Sequence, residues 1–150
     1  VWGVRKNNCF SSGAYRLLSE RITRAMAEHV RKIPNVIGWQ TDNELSGPMC
    51  YCDTCRNEFH DWLRARYWTV EELNRAWGTH FWGHTYGNWT EIQIPADNGS
   101  HNPSALLDWQ RFCSRLNVRF QHEQVQLLRL LLQQQLSGNF ECWLKHRLRN

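Results

Sequence analysis

An α/β architecture is what this sequence predicts, and three observations predict it. An amphipathic stretch at 13–32 has helical periodicity and stops ahead of Pro34, because the residue before a proline resists the helical conformation. A short apolar run, Val36-Ile37-Gly38-Trp39-Gln40-Thr41, follows directly and reads as a strand at 35–41. Further helical stretches come after it, so helix and strand alternate through brief connections.

The elements follow in order. Residues 1–4 are the end of a strand that delivers Arg5 to a loop. In the helix at 13–32, Leu17, Leu18, Ile22, Ala25, Met26 and His29 fall on one face. The strand at 35–41 ends on Asp42-Asn43-Glu44. A helix is expected at 52–67, with Cys55, Phe59, Trp62, Leu63 and Arg66 near one face. Thr69-Val70-Glu71-Glu72 has the form of a capping box opening a short helix that ends at Trp77. Residues 78–100 carry Gly, Pro, Asn and many aromatics and read as a long ordered loop. Asn102-Pro103 starts a helix, as an N-cap followed by proline at the first helical position. That helix is expected at 103–135, burying Leu106, Trp109, Phe112, Cys113, Leu116, Phe120, Val125 and Leu128, with Gly138 as its stop. No pattern emerges for the tail at 141–150, and no internal repeat is present.

Composition narrows the function. The 150 residues suffice for one ordinary core. Hydrophobic content of 41% and charged content of 21% are those of a normal globular sequence. The net charge of +4 is mild, and basic residues are dispersed except for Lys145, Arg147 and Arg149, so no stripe tracks a phosphate backbone and no nucleic-acid partner is expected. No apolar run approaches the roughly 18 residues of a membrane span. The first residues lack a signal-peptide pattern and an initiator Met, so a cytoplasmic location and a fragment are expected. Asn88-Trp89-Thr90 and Asn98-Gly99-Ser100 are then chance matches to the glycosylation pattern. Nine Trp supply large amphipathic rings that suit sugar stacking and also ordinary packing.

Two groups could carry chemistry. A strand that delivers a carboxylic acid at its C-terminal tip is how a (β/α)₈ barrel builds an active site, and Glu44 stands at such a tip. Burial there would raise its pKa and suit it to protonate a glycosidic oxygen, while Asn43 could bond the neighbouring sugar hydroxyl. Strict alternation would send Asn43 and Glu44 to opposite faces, so both reach one site only if the strand bends at its tip. The plainer reading is a strand end with a polar turn. The second group is Cys50-x-Cys52-x-x-Cys55, too tight for easy disulfide bridging, with Cys9 as a fourth thiol. Four thiolates suit a closed, structural Zn²⁺ site in a reducing compartment; the alternative is a set of reduced thiols. Cys113 and Cys142 read as buried or spare thiols. Trp77, Phe81, Trp82, Tyr86 and Trp89 could line a sugar pocket or simply pack. His29, His60 and His122 lie on expected helices and read as structural or surface residues.

These blocks together resemble glycoside hydrolase family 42, the β-galactosidases. Gly3-Val4-Arg5 with Cys9 resembles the segment after the third barrel strand. Ile37-Gly38-Trp39-Gln40-Thr41-Asp42-Asn43-Glu44 resembles the fourth strand. Ala76-Trp77-Gly78-Thr79-His80-Phe81-Trp82, with Tyr86, Trp89, Glu91-Ile92 and Pro95, resembles the family's long loop, and Asn102-Pro103-Ser104 through Leu107-Asp108 and Arg111-Phe112 resembles the helix after it. The resemblance implies a helix-rich part of a TIM barrel at 1–140 and a tail of unclear origin at 141–150. It implies retaining hydrolysis of terminal β-galactosides with Glu44 as acid/base, and galactose contacts from Asn43 and Arg5. It also implies a structural zinc on Cys9, Cys50, Cys52 and Cys55, and a homotrimeric intact enzyme. The connection from Glu44 to Cys50 looks shorter than the family's, and the family's nucleophile, a second Glu on a later strand, has no counterpart here. Residues 1–150 alone are therefore expected to be inactive, since a retaining site needs two carboxylates about 5 Å apart. The competing expectation is a zinc-stapled carbohydrate-binding or interaction module without activity.

Overall fold

The structure is a computed structural model that describes residues 8–33, 35–43, 50–95 and 101–132. The expected strand at 1–4, Arg5, Glu44, the stop at Gly138 and the tail at 141–150 lie outside the described residues. Among the described residues four α-helices form: α1 (Gly13–Val30), α2 (Asp53–Tyr67), α3 (Val70–Trp77) and α4 (Pro103–Leu131). Single 3-10 turns at Phe81–Gly83 and Trp89–Glu91 punctuate the connection between α3 and α4. The helical expectations hold to within a few residues at the ends that are described.

The expected strand does not form. Among the described residues there is no β-strand, and 36–41 is irregular. A strand exists through its ladder, in which each N–H and C=O finds a neighbouring chain. No described segment supplies that ladder to 36–41, so the apolar run stays irregular. Structurally, the chain divides into two compact units, Val1–Ser12 with Ser46–Asn117, and Gly13–Leu45 with Val118–Asn150.

The first unit is built on α2. Cys55, Phe59 and Leu63, spaced by four, are buried on one face of it. Phe59 meets Trp109 edge-on at 5.1 Å between ring centroids and Phe112 at 5.3 Å, the offset geometries aromatic quadrupoles favour. Val70, Leu73 and Trp77 of α3 are buried, as are Ala105, Trp109, Phe112 and Leu116 of α4. Leu106, expected in that stripe, is instead exposed. Polar side chains tie down the long loop. Asn74 donates to the Tyr86 carbonyl at 2.8 Å and accepts from the Tyr86 N–H at 3.0 Å. His60 bonds the Ile92 carbonyl at 2.8 Å, a structural role as expected. Asn102 caps α4 by accepting from Ser104 N–H at 2.8 Å and donates to the Trp77 carbonyl at 2.8 Å.

Half of the predicted capping box forms. Thr69 Oγ1 accepts from the Glu72 N–H at 3.2 Å, while the Glu72 carboxylate pairs with Arg75 at 2.6 Å. Gly78, at φ +63°, closes α3 in the left-handed region that glycine enters at no steric cost. Thr69→Ala should cost about 1 kcal/mol, the usual price of an N-cap, read as a lowered urea midpoint at unchanged m-value.

In the second unit, α1 does not bury its predicted face. Leu17, Leu18, Ile22 and Met26 are all more than half exposed. The helix turns Arg16, Thr23 and Ala27 toward the second half of α4 instead. Arg16 is ion-paired with Glu123, with Nε at 2.9 Å from Oε2, and Thr23 donates to Gln124 at 2.5 Å. Ala27 packs with Leu128 and Leu132, flanked by Trp39 and Leu131. The reason is complementarity: α4 presents Glu123 and Gln124 at this level, which polar partners satisfy and leucines would leave unpaired.

Candidate functional site

Two local sites are described, one in each unit. In the first unit the turn Cys9–Ser12 is closed by a 3.0 Å bond from Ser12 N–H to the Cys9 carbonyl. Cys52 stands just before α2, and its carbonyl accepts from Arg56 N–H at 3.0 Å. Cys55 lies in the first turn of that helix and is buried. The start of α2 thus fixes the directions of two thiols, and Cys9 and Cys50 join them.

The ligand atoms of Cys9, Cys50, Cys52 and Cys55 all lie within 4.8 Å of one another. Cys9 Sγ is 3.4 Å from Cys55 Sγ and 3.8 Å from Cys52 Sγ. A tetrahedral ion with metal–sulfur bonds of about 2.3 Å needs sulfurs about 3.8 Å apart, so the cluster is of the right size for one. Burial pushes the Cys9 thiol up to about 11 and drives Cys55 higher still. For Cys52 burial acts in the same direction, but the Cys55 N–H and the neighbouring thiols outweigh it and bring it down to about 7. Cys113, half-buried, is raised to about 11 by burial and then by Cys50, and is not one of the four clustered sulfurs.

The second site is the end of the expected strand. Gln40 Nε2 donates to the Asp42 carbonyl at 3.0 Å and toward Asn43 Oδ1 at 3.5 Å. Asp42 Oδ1 accepts the Asn43 N–H at 2.7 Å. From α4, Gln121 accepts from Thr41 Oγ1 at 2.5 Å and donates to Asp42 Oδ2 at 3.4 Å. Asn43 itself is exposed. Of the predicted substrate and catalytic residues it alone is described; Glu44 and Arg5 lie outside.

The aromatic loop divides. Trp77 is buried and donates from Nε1 to Asp108 at 3.0 Å, with Tyr86 edge-on at 6.1 Å, so both serve packing. Arg64 lies over the Trp89 ring at 5.6 Å, and Phe81 is exposed. Two organising residues receive no role from the sequence. Asp108 stands in the block that resembles the family's helix and lies one position from the Trp109 stripe of α4; Gln121 carries no signal beyond lying on that helix.

Among the described residues, no helix is long and apolar enough to cross a membrane. Comparison with known proteins adds the family context. The family model described as Beta-galactosidase, of glycoside hydrolase family 42, matches residues 1–145. The β-galactosidase BgaA of a Thermus species is 46% identical over 132 residues, 85% of this chain and 20% of that protein. The crystal structure of the β-galactosidase from Rahnella sp. R3 superposes with a TM-score of 0.80 at 39% identity, covering 86% of this chain and 19% of that one. The enzyme from Halorubrum lacusprofundi gives a TM-score of 0.78 at 39% identity over 87% of this chain and 20% of its own. The chain spans about a fifth of the length of the relatives it matches.

Proposed function

Since this chain belongs to glycoside hydrolase family 42, we propose that it forms a helix-rich part of a (β/α)₈ barrel whose whole protein hydrolyses terminal β-galactosides. The likeness to β-galactosidases over 85% of the chain, at 46% identity in one case, carries this reading. Residues 1–140 belong to the catalytic domain in this account, with 141–150 as a tail. Homotrimeric assembly belongs to the same proposal and rests on the family alone, while a cytoplasmic location rests on the clustered thiols, which suit a reducing compartment.

Glu44 is the general acid/base of this reaction. It donates its proton to the leaving oxygen while a second carboxylate, elsewhere in the whole protein, attacks the anomeric carbon; it then takes a proton from water as the glycosyl-enzyme is hydrolysed. Asn43 and Arg5 hold the galactose, Asn43 at the hydroxyl beside the reacting carbon. Bonds there strengthen as positive charge develops on the ring, so they lower the barrel's activation barrier more than they tighten substrate binding.

Zinc fits the four-cysteine cluster. All four donors are soft, the Cys9–Cys52 sulfur separation of 3.8 Å matches the tetrahedral value and the Cys9–Cys55 separation of 3.4 Å falls just short of it, and four thiolates complete a closed site. Cys9, Cys50, Cys52 and Cys55 would hold it, and it would pin the turn at Cys9 to the start of α2. It would supply structure and no chemical step.

The test is hydrolysis of a chromogenic β-galactoside by the longer protein that contains this sequence. Activity is expected, and Glu44→Gln should lower it about 10²–10⁴-fold, the range for a lost general acid/base. An inert longer protein that is folded and zinc-loaded would sink the enzyme reading in favour of a binding module.

A further inference from the structure

The stretch that ends on Asn43 is held by a side chain eighty positions away in sequence. Gln121 makes two bonds with its single amide, accepting from Thr41 at 2.5 Å and donating to Asp42 at 3.4 Å. The other oxygen of the same Asp42 carboxylate receives the Asn43 N–H at 2.7 Å. The chain of contacts therefore runs from α4, through Asp42, to the backbone of Asn43. Its origin is firm: Phe120 and Gln124, on either side of Gln121, are both buried, and Gln124 is bonded to Thr23. Among the described residues, Gln40 adds local contacts within the same irregular stretch, to the Asp42 carbonyl and to Asn43 Oδ1. With no ladder to fix 36–41 among the described residues, Gln121 is the tie that links its end to a packed helix.

We propose that Gln121 is a positioning residue for Asn43, acting through Asp42. The inference rests on the reading of Asn43 and Glu44 given above and adds to it the group that sets the geometry of Asn43. The amide suits the task. Its oxygen and nitrogen face a hydroxyl donor and a carboxylate acceptor, so only one orientation satisfies both. A site residue carried on irregular backbone needs such support, because a displacement of about 1 Å can cost on the order of 10²-fold in rate.

The experiment uses the longer β-galactosidase that contains this sequence, with Glu44→Gln as the control. Gln121→Ala should lower kcat/KM for a β-galactoside about 10–100-fold, mainly in kcat. For the matching 2-deoxy-β-galactoside, which lacks the hydroxyl Asn43 holds, the same substitution should cost no more than about threefold. A merely structural role would penalise both substrates alike. The reciprocal pair Gln121→Glu with Asp42→Asn exchanges donor and acceptor while keeping an oxygen for Thr41, so it should restore the galactoside rate to within about threefold. Should Gln121→Ala fail to fold, this pair decides: a folded but still impaired pair overturns the proposal. An equal loss on both substrates, or no loss, also overturns it while Glu44→Gln is inactive. If Glu44→Gln retains activity, the reading of the site fails and the inference fails with it.

Discussion

Stripping the proposed zinc from the four-cysteine cluster should melt the turn at Cys9 and the start of α2 together. Structural zinc contributes on the order of 10 kcal/mol to small domains, because its binding free energy is also folding free energy. Without it, four sulfurs crowded within 4.8 Å are left with only weak thiol hydrogen bonds. A strong chelator should therefore lower the melting temperature, and Cys55→Ser should abolish stoichiometric zinc, read by elemental analysis of the purified chain. The pH dependence follows from the thiols. Cys9, at about 11, and Cys55, higher still, keep their protons at pH 7–9 in the metal-free site. Both protons must leave when a metal binds, so raising the pH favours binding and lowering it opposes binding. Affinity should climb at least about 100-fold per pH unit over that window, ten for each of these two protons released. Cys52, at about 7, adds a third proton only as the pH falls below neutrality and steepens the loss there. Competition titrations against a chelator of known pH behaviour measure the slope. A pH-independent affinity, or a melting temperature indifferent to chelation, would rule out a structural thiolate site.

The sequence reveals the helices of this chain well because their signals are local. Thr69, Gly78 and Asn102 mark helix ends through bonds and dihedrals that involve a few adjacent residues. The clustered thiols are equally legible, since Cys50, Cys52 and Cys55 are neighbours in sequence, and Cys9 does join them in space. What the sequence does not carry is the identity of the opposite surface. Leu17, Leu18, Ile22 and Met26 form an apolar face by periodicity, yet α1 meets α4 through Arg16, Thr23 and Ala27. The run at 36–41 has strand composition, but strand formation is a property of pairs of segments. Asn43 is placed by Gln121, which no motif signals, because the link is a tertiary one between residues far apart in the chain.

Asp108→Ala should be the most damaging single substitution away from the cysteines, at about 2–5 kcal/mol, the cost of leaving two buried donors without their acceptor at about 1–3 kcal/mol each. Its carboxylate is 1% exposed and gathers donors from three elements. Tyr67 at the end of α2 donates at 2.5 Å, Trp77 at the end of α3 at 3.0 Å, and Arg111, one turn along α4, at 3.1 Å. Arg66 adds an ion pair at 3.7 Å. The two guanidinium groups are half exposed and stay solvated when the carboxylate goes, so they lose little. Trp77 Nε1 is buried, and the cost falls on it and on the Tyr67 hydroxyl, left facing an apolar methyl. Tyr67→Phe removes one neutral donor and leaves the carboxylate three others, so it should cost only about 1 kcal/mol. Alkaline titration separates the roles. Burial, and then the bond to Asp108, raises the Tyr67 pKa above its ordinary 10.0. A group whose folded pKa is raised adds stability that is fully present below the unfolded value and lost as pH rises through the folded one. The wild-type chain should therefore weaken above about pH 10 in a way that Tyr67→Phe lacks. Urea midpoints of the two single variants and the double variant, at pH 7 and again at alkaline pH, give the coupling. If the two costs simply add at pH 7, Tyr67 and Asp108 act independently, and the carboxylate is not the node that joins α2, α3 and α4.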